Sequence, residues 1–396
     1  MATAILFKNA DLYAPEHKGI KQILTVNDKI IAVEDEISAD LPGLEVIDLN
    51  GAIVTPGLID QHIHVTGGGG EGGPLTRAPE LNFSELVEGG ITSFVGVSGT
   101  DSETRPIEAL MAKVRALTKE GATGWMWTSN YRYPPTTVTG DVRKDLLTIP
   151  ECLGVKIAMG DHRCSFPTTQ EVLRVLSDCR VGGMICGHDS YLHVHLGDLP
   201  IAFPAFMECV KMGMPIKHIR PTHVGRHPEV FAQAIAFTKA GGYIDITTSG
   251  GNYMGSAADA VRAALADGMG SAADAFVMAL NEGAPIDRIT FSSDGHGSMP
   301  RFDKNGEMIG LTVCKVSDDL KMLQELAGKI GLEKALLPLT RTIATALCLD
   351  NKGVIEAGKD ADLLVMDKDL KPIHLFMKGR QVMKDSEVIV KGAFEE

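Results

Sequence analysis

Eight short apolar runs, separated by amphipathic stretches of helical period, constrain the fold of this 396-residue chain more than any other feature. In chain order the runs are LIDQHIH (58–64), ITSFVGV (91–97), TGWMWTS (123–129), GVKIAM (154–159), YLHVHL (191–196), IKHIRPTH (216–223), GYIDITTS (242–249) and DRITFSSD (287–294). Strands that alternate with helical segments favour parallel βαβ units, and eight such units make a (β/α)8 barrel of about 250 residues. We therefore predict an α/β protein with a TIM-like (β/α)8 barrel over 56–352.

The two ends of the chain follow a different pattern. Residues 1–55 and 353–396 alternate apolar and polar positions and are broken by Gly, Pro and Asn-Asp turns, with few helical signals. This alternation is typical of antiparallel strands with one buried face. We predict that both ends combine into one small β-sandwich domain.

A near-repeat lies between the seventh and eighth runs. GSAADAVRAALADGM (255–269) is followed at once by GSAADAFVMALNEGA (270–284). The alanine-rich pattern predicts helix in both copies. We interpret the repeat as a tandem duplication that lengthens one outer helix or adds a second, and keep as an alternative a lid over the barrel mouth.

Charge and cysteine usage exclude several classes of protein. The chain carries 51 acidic and 38 basic residues, a net charge of −13, which would repel a phosphate backbone, so we expect no nucleic-acid partner. Its 7 cysteines form no C-x-x-C pair, which favours reduced thiols. There is no signal-peptide pattern and no apolar run of about 18 residues. We predict a soluble, cytoplasmic protein with no membrane partner.

The first run ends in His-x-His, with His62 and His64 on the same side of the predicted strand. Three further residues of types that bind metals lie at the ends of later runs: His195 in the fifth, His223 in the sixth and Asp294 in the eighth. Because the carboxyl ends of barrel strands meet at one mouth, these side chains are expected to converge on a metal centre. His193 faces the same side as His195 and is an alternative ligand.

Lys156 lies inside the apolar run GVKIAM. A buried ammonium without a partner is costly, so such a lysine either pairs with an acid or changes its charge. One interpretation places it at the strand edge beside a carboxylate. The other is carbamylation by CO₂, which turns the cation into an anion able to bridge two metals.

Other hydrolytic and nucleotide-binding motifs are absent from the sequence. There is neither a G-x-S-x-G nucleophile elbow nor an H-E-x-x-H helix. The stretch GGGGEGG (67–73) lacks the Lys and Ser/Thr of a phosphate-binding loop. These absences leave the histidine-rich barrel mouth as the main candidate for chemistry.

Several blocks of the sequence resemble a known family. The His-x-His, the lysine of the fourth run, the two later histidines and the final aspartate look like the amidohydrolase superfamily with a binuclear zinc centre, as does the closing GVIEAGKDADLLVMD. More narrowly, DQHIHVTGGGGEGGPLTRAPE, GVKIAMGDHR, HVHLGD, RPTHVGR and SSDGHGS are similar to isoaspartyl dipeptidases. The resemblance covers almost the whole chain.

The resemblance implies two zinc ions per chain. His62, His64 and Asp294 would bind one ion, His195 and His223 the other, and carbamylated Lys156 would bridge both. A hydroxide held between the metals would attack the scissile carbonyl. Asp294 would act as general base and then as general acid toward the leaving amine.

A β-aspartyl dipeptide carries a free α-amine and two carboxylates. Arg163 and Arg226 offer guanidinium forks suited to carboxylates, and Glu71 could pair with the ammonium. Tyr131 would stabilise the oxyanion, with Tyr133 as a rival in the same loop. The resemblance adds three substrate-contact positions: Gly69, Thr100 and Ser298. The alternatives are surface salt bridges for the arginines and a loop cap for Glu71.

The function predicted from these residues is a zinc dipeptidase that hydrolyses the isopeptide bond of β-aspartyl (isoaspartyl) dipeptides. The first alternative is a related amidohydrolase acting on a cyclic amide or an N-acyl amino acid, which need not engage Glu71. The second is a structural, metal-free relative that keeps the barrel only for assembly. Such a protein is expected to have lost some of the metal-binding residues. The resemblance also implies a homo-oligomer, specifically an octamer.

Overall fold

The computed structural model describes residues 4–249, 270–302 and 308–396, except for the side chains of 300–302 and 308. The amino-terminal strands are β1 (Ala4–Tyr13), β2 (His17–Val26), β3 (Lys29–Glu34), β4 (Leu44–Asp48) and β5 (Ile53–Pro56). The central strands are β6 (Leu58–Ile63), β7 (Ile91–Gly96), β8 (Thr123–Ser129), β9 (Cys152–Met159), β10 (Tyr191–Leu196), β11 (Ile219–Thr222), β12 (Ile244–Thr247) and β13 (Ile289–Ser292). A hairpin of β14 (Ser298–Phe302) and β15 (Met308–Val313) follows. The last strands are β16 (Leu363–Met366), β17 (Pro372–Met377), β18 (Arg380–Lys384) and β19 (Glu387–Val388).

The helices lie mostly between the central strands. They are α1 (Phe83–Glu88), α2 (Ile107–Glu120), α3 (Val142–Thr148), α4 (Thr169–Cys186), α5 (Ala202–Lys211), α6 (Pro228–Lys239), α7 (Ala272–Asn281), α8 (Asp318–Ile330), α9 (Leu332–Leu336) and α10 (Arg341–Ala346). Short 3₁₀ turns cover Pro74–Thr76, Ile216–His218, Val224–Arg226, Ile286–Arg288 and Leu337–Leu339. Among the described helices, none is both long and apolar enough to cross a membrane.

Each of the eight predicted apolar runs contains one strand of a curled parallel sheet, so the TIM-barrel-like architecture is confirmed. Strands β6 to β11 pair in chain order, and β12 pairs with β13 in parallel. A bridge from Ile63 to Gly295 joins the first strand to the segment after the last one. Strands β6, β7, β9 and β10 are buried along their whole length, as expected for parallel strands covered on both faces.

Strands from both chain ends share one sheet, in the order β19-β18-β17-β16-β5-β1-β2-β3, with β4 paired in parallel to β1. The two ends meet where β5 and β16 pair antiparallel. The predicted association of the ends is therefore present as a separate sheet-rich region. The two-layered sandwich and the limits 1–55, 56–352 and 353–396 stay predictions.

A buried lysine joins this sheet to the foot of the barrel. Lys352 Nζ lies 2.8 Å from Asp360 Oδ2 and 2.5 Å from Asp362 Oδ2, just before β16. It also donates to Thr123 Oγ1, at the start of β8, over 2.8 Å. Because both carboxylates lie beside the ammonium, its charge is compensated inside the protein.

The second copy of the near-repeat forms α7, in the place of the outer helix between β12 and β13. The Ser271 side chain accepts a hydrogen bond from the Asp274 N–H over 3.1 Å, and the Asp274 side chain accepts one from the Ser271 N–H. Together the two bonds form a capping box. Apolar residues of α7 face the core around Phe276. The first copy, 255–269, lies outside the described residues.

Candidate active site

The six predicted metal ligands lie at the carboxyl ends of five barrel strands, and each is buried. His62 and His64 come from the end of β6, Lys156 from β9 and His195 from β10; His223 follows β11 and Asp294 follows β13. None of the six is more than 7% exposed. His223 and Asp294 have φ values of 64° and 56°, in the left-handed region that residues other than glycine seldom adopt. Such backbone strain often accompanies functional sites.

His62, His64 and Asp294 form a compact donor set. Their potential ligand atoms all lie within 4.8 Å of one another. Asp294 Oδ1 lies 3.4 Å from His62 Nε2 and 3.2 Å from His64 Nε2. Two imidazole nitrogens and a carboxylate oxygen are ligand types that zinc accepts. The structure thus brings together the three residues that the family resemblance assigns to one metal.

His195 and His223 form a second group beside the first. Their ring centroids are 4.6 Å apart, and the His223 ring is 4.9 Å from that of His62. His223 Nδ1 lies 2.6 Å from Thr247 Oγ1. The other ring nitrogen, Nε2, is buried and has no hydrogen-bond partner within the described part of the chain. A buried nitrogen in that state suits a metal ligand better than a core histidine.

Lys156 Nζ lies 3.1 Å from His62 Nε2 and 5.4 Å from the centroid of the Tyr131 ring. Over the described ranges, no carboxylate oxygen lies within 4.0 Å of this ammonium. Burial lowers the pKa of Lys156 to about 7, against the opposing effect of the Asp294 carboxylate. The acid-paired interpretation of Lys156 therefore finds no partner among these residues.

His193, the alternative ligand, lies behind His62. Its Nε2 is 2.7 Å from His62 Nδ1, the nitrogen opposite the one that faces Asp294. Its ring stacks on Trp127 with centroids 4.9 Å apart and an interplanar angle of 6°. Burial lowers the pKa of His62 and of His193 well below the ordinary value, so both rings are neutral near pH 7. His193 thus lies behind a predicted ligand and contacts the ring nitrogen that faces away from Asp294.

Glu71 and Arg163 pair with each other at the edge of the cluster. Arg163 Nη1 lies 3.0 Å from Glu71 Oε1. The same guanidinium binds Asp161 through Nε–Oδ1 and Nη2–Oδ2 contacts of 2.8 and 2.7 Å. Asp161 Oδ2 is in turn 3.0 Å from His195 Nε2. Arg163 is thus joined on one side to the exposed Glu71 and on the other to a buried aspartate that contacts His195.

The two tyrosines of the loop after β8 differ in position. Tyr131 is buried, and its hydroxyl lies 2.8 Å from His195 Nδ1. Tyr133 is half-buried and packs against the main hydrophobic core. Burial raises the pKa of Tyr131, which keeps the phenol protonated. The geometry favours Tyr131 as the donor in the cluster.

The remaining predicted residues surround the same mouth. Arg226 Nη2 lies 2.9 Å from Asp294 Oδ2. Gly69 has φ 80°, and a Cβ there would come 2.2 Å from the Thr76 carbonyl oxygen and 3.0 Å from Ser298 Cβ, so only glycine fits. Thr100 is half-buried in the loop after β7, and no described contact joins its side chain to the cluster.

Sequence patterns did not identify Asp161 as part of this site. One signal was available, because Asp161 follows β9 within two residues, as His223 and Asp294 follow their own strands. Polar residues at that end of a barrel strand are typical of active sites. A further histidine, His296, is also buried, with ring nitrogens 2.9 Å from the Pro79 carbonyl and 3.0 Å from Glu85.

A TIM-barrel-like fold with this histidine, lysine and aspartate cluster at its mouth is the arrangement of a metal-dependent hydrolase. The sequence model of the amidohydrolase family matches residues 53–393, so the chain belongs to that family and is a hydrolase. The crystal structure of the β-aspartyl dipeptidase from Fervidobacterium islandicum AW-1 in complex with β-Asp-Leu is 37% identical, with a TM-score of 0.87 and 98% of both chains covered. A second structure of the β-aspartyl dipeptidase from that organism is 34% identical, with a TM-score of 0.86 and the same coverage.

Other proteins match over a shorter stretch or at a lower sequence identity. A dihydroorotase of Bacillus thuringiensis is 36% identical over 96 residues, which are 24% of this chain and 21% of that enzyme. The match thus spans about a fifth of the length of the curated relatives. The dihydropyrimidinase of Brevibacillus agri is 16% identical with a TM-score of 0.67, and covers 99% of this chain and 97% of its own; it shares the fold.

Proposed function

We propose that this protein is a zinc-dependent dipeptidase that hydrolyses β-aspartyl (isoaspartyl) dipeptides. The observation that carries the proposal is the Glu71–Arg163 pair, whose atoms lie 3.0 Å apart beside the histidine cluster. An acid next to an arginine matches the ammonium and carboxylate of a free amino-acid head group. The similarity to a β-aspartyl dipeptidase bound to β-Asp-Leu supports the same substrate class.

The residues at the mouth fit a pair of zinc ions. His62, His64 and Asp294 would hold one ion, and His195 and His223 the other. His64 Nδ1 and His223 Nε2 are buried and have no hydrogen-bond partner among the described residues, which supports a ligand role for their rings. When bound, two such metals polarise the amide carbonyl and lower the pKa of a nearby water.

Lys156 would bridge the two ions as its carbamate. The amine fits this role because it is fully buried, has a lowered pKa and lies beside a predicted ligand. A neutral amine is the form that adds CO₂; the addition forms an N–C bond and releases one proton to solvent, and the product is an anion of the charge needed between two cations. The fit of the chain to a carbamate thus rests on a buried lysine that has no acid beside it in the described part of the chain.

In the proposed mode of substrate recognition, the substrate breaks the contact between Glu71 and Arg163 and binds to each of them instead. The α-ammonium of the substrate would take Glu71, and its α-carboxylate would take the Nη1 edge of Arg163. Arg226, at the opposite side of Asp294, would bind the second carboxylate. Gly69, Thr100 and Ser298 would line the head-group end. A substrate bound in this way would need a free α-amine as well as a β-linkage.

Tyr131 and Asp294 would handle charge and protons during hydrolysis. The protonated Tyr131 hydroxyl can donate to the carbonyl oxygen as negative charge develops there. Burial would raise the pKa of Asp294, but the nearby His223, His64 and Arg226 hold it well below its usual range. The resulting carboxylate can take a proton from the attacking water and pass it to the leaving amine.

A cyclic-amide substrate is the second candidate, favoured by the dihydroorotase similarity. A cyclic amide has no free α-ammonium, so it leaves Glu71 without a partner. The assembly of several copies into an oligomer, an octamer in the isoaspartyl dipeptidase resemblance, is proposed on that resemblance alone.

Hydrolysis of β-Asp-Leu beside α-Asp-Leu by the zinc-loaded protein tests the proposal. We expect cleavage of the β-linked peptide alone, and loss of that cleavage after chelation. Glu71→Gln should lose most of the activity on β-Asp-Leu. If dihydroorotate is hydrolysed and neither dipeptide is, the cyclic-amide candidate replaces this one.

A further inference from the structure

One carboxylate, that of Asp161, contacts both a substrate-side group and a predicted metal ligand. Its Oδ1 accepts from Nε of Arg163 over 2.8 Å and from the Arg163 main-chain N–H over 2.8 Å. Its Oδ2 accepts from Arg163 Nη2 over 2.7 Å and lies 3.0 Å from His195 Nε2. Asp161 is 6% exposed. The predicted carboxylate site and the predicted metal centre therefore share this residue.

The contacts define the tautomer of His195. A carboxylate only accepts hydrogen bonds, so the 3.0 Å contact requires the proton on His195 Nε2. Arg163 Nη2 lies 3.5 Å from the same nitrogen and could donate only to the opposite tautomer, but this contact is at the limit of a hydrogen bond and the carboxylate contact is shorter. The lone pair of the neutral ring is then on Nδ1, where the Tyr131 hydroxyl donates over 2.8 Å. Asp161 thus directs the His195 lone pair into the cluster.

We propose that Asp161 is a positioning residue that couples substrate binding at Arg163 to metal binding at His195. The inference rests on the proposed function for the roles of these two partners. In the proposed exchange the substrate carboxylate replaces Glu71 on Nη1 of Arg163, and a substrate anchored at both charged groups holds the guanidinium, and through it Asp161, in one orientation. The hydrogen bond to His195 Nε2 then strengthens, and Nδ1 becomes a better ligand. By linkage, metal and substrate head group each bind more tightly in the presence of the other.

Zinc titrations of the metal-free protein against a chromophoric chelator test the coupling without any turnover. The probe is L-aspartate, which has the ammonium and carboxylate of the substrate head group. D-aspartate chelates free zinc equally and serves as the control. In the unmodified protein, L-aspartate should raise zinc affinity about 5-fold or more over D-aspartate, within the range of ordinary allosteric couplings.

Asp161→Asn should lower zinc affinity about 10–100-fold, the usual effect of removing an outer carboxylate. It should also remove the difference between L- and D-aspartate. Asp161→Glu, which keeps the charge, should recover part of both. Arg163→Met should remove the coupling while leaving zinc affinity within a few-fold of the unmodified protein.

Equal zinc affinity with the two aspartate enantiomers in the unmodified protein would overturn the coupling, and this measurement needs no folded variant. Zinc affinity of Asp161→Asn within twofold of the unmodified protein would reduce Asp161 to a structural partner of Arg163. Absence of β-Asp-Leu hydrolysis with the coupling intact would instead reject the proposed reaction and keep the role of Asp161.

Discussion

Among the residues that the structure describes, two lysines are buried, and their surroundings are opposite. Lys352, at the foot of the barrel, lies 2.8 and 2.5 Å from two aspartates and also contacts Thr123. Lys156, at the mouth, has a histidine nitrogen 3.1 Å away and no carboxylate within 4.0 Å among the described residues. Lys352 is 7% exposed and Lys156 is 0% exposed. Burial alone therefore does not separate them.

The difference lies in how each charge is compensated. A paired buried lysine is a structural ion, and removal of one partner leaves uncompensated charges. A buried lysine without an acid is held toward its neutral form, in which the amine is a nucleophile. The first arrangement joins the end sheet to the barrel, and the second is the one expected of the proposed carbamate.

The largest expected effect is on activity. Lys156→Ala should lose metal from the zinc-loaded protein and lower kcat/KM for β-Asp-Leu about 10³-fold or more, since metal stabilisation of the developing charge contributes several kcal/mol. A small carboxylic acid added to this variant should restore part of both, because it can stand in for the bridging carboxylate. Metal analysis and steady-state kinetics measure the two effects.

Lys352→Met provides the matched control for that loss. Its folded fraction should keep the zinc and the turnover of the unmodified protein. If Lys156→Ala leaves metal content and turnover unchanged, the carbamate role is wrong. If Lys352→Met loses metal as Lys156→Ala does, the contrast between the two lysines is wrong.

The second effect is on stability. Lys352→Met should lower the free energy of unfolding by about 3 kcal/mol, because Asp362 and Asp360 lose a buried cation. Denaturant unfolding measures this loss. The exposed Lys368 supplies the control, and Lys368→Met should change stability by less than about 0.5 kcal/mol. Equal stability of the two variants would mean that the junction does not depend on the ion pair.

The third effect is a gain in the free energy of unfolding rather than a loss. The pKa of Lys156 is lowered from 10.5 to about 7, so the folded metal-free protein binds fewer protons than the unfolded chain between these values. Its stability should therefore rise with pH across that window. Lys156→Met removes the penalty, and should stabilise the metal-free protein by about 2 kcal/mol or more at pH 7, with a gain that shrinks toward pH 10. A pH series of unfolding curves measures the trend, and a destabilised Lys156→Met at pH 7 would contradict it.

The smallest effect concerns substrate capture. Arg226→Met should raise KM for β-Asp-Leu about 10-fold through loss of one charged carboxylate contact, and leave zinc content unchanged. Arg132→Met is the control, because Arg132 pairs with Glu103 on the exposed rim. Loss of zinc from Arg226→Met would show that Arg226 mainly supports Asp294, whose Oδ2 lies 2.9 Å away.

The barrel and its ligand residues could be predicted because their signals are local. Parallel strands buried on both faces appear as continuous apolar runs, and a histidine or aspartate at the end of such a run already has its place at the mouth. His62, His64 and Asp294 were assigned to one site in this way, and they lie within 4.8 Å in the structure.

What could not be predicted depends on contacts between distant segments. Asp161 connects Arg163 to His195, and the role of His193 behind His62 depends on stacking against Trp127, from a third strand. Periodicity indicated strands at both chain ends, but it could not identify β5 and β16, more than 300 residues apart, as the strands that pair. Whether a buried lysine has an acid beside it is equally a property of the fold, as Lys156 and Lys352 demonstrate.

The carbamate on Lys156 is the central claim, and ¹³C NMR of protein loaded with zinc in ¹³C-bicarbonate tests it most directly. The account predicts one carbamate carbon signal per chain, present in Lys352→Met and absent from Lys156→Met. No carbamate signal in the active, zinc-loaded protein, or a signal that persists in Lys156→Met, would contradict it.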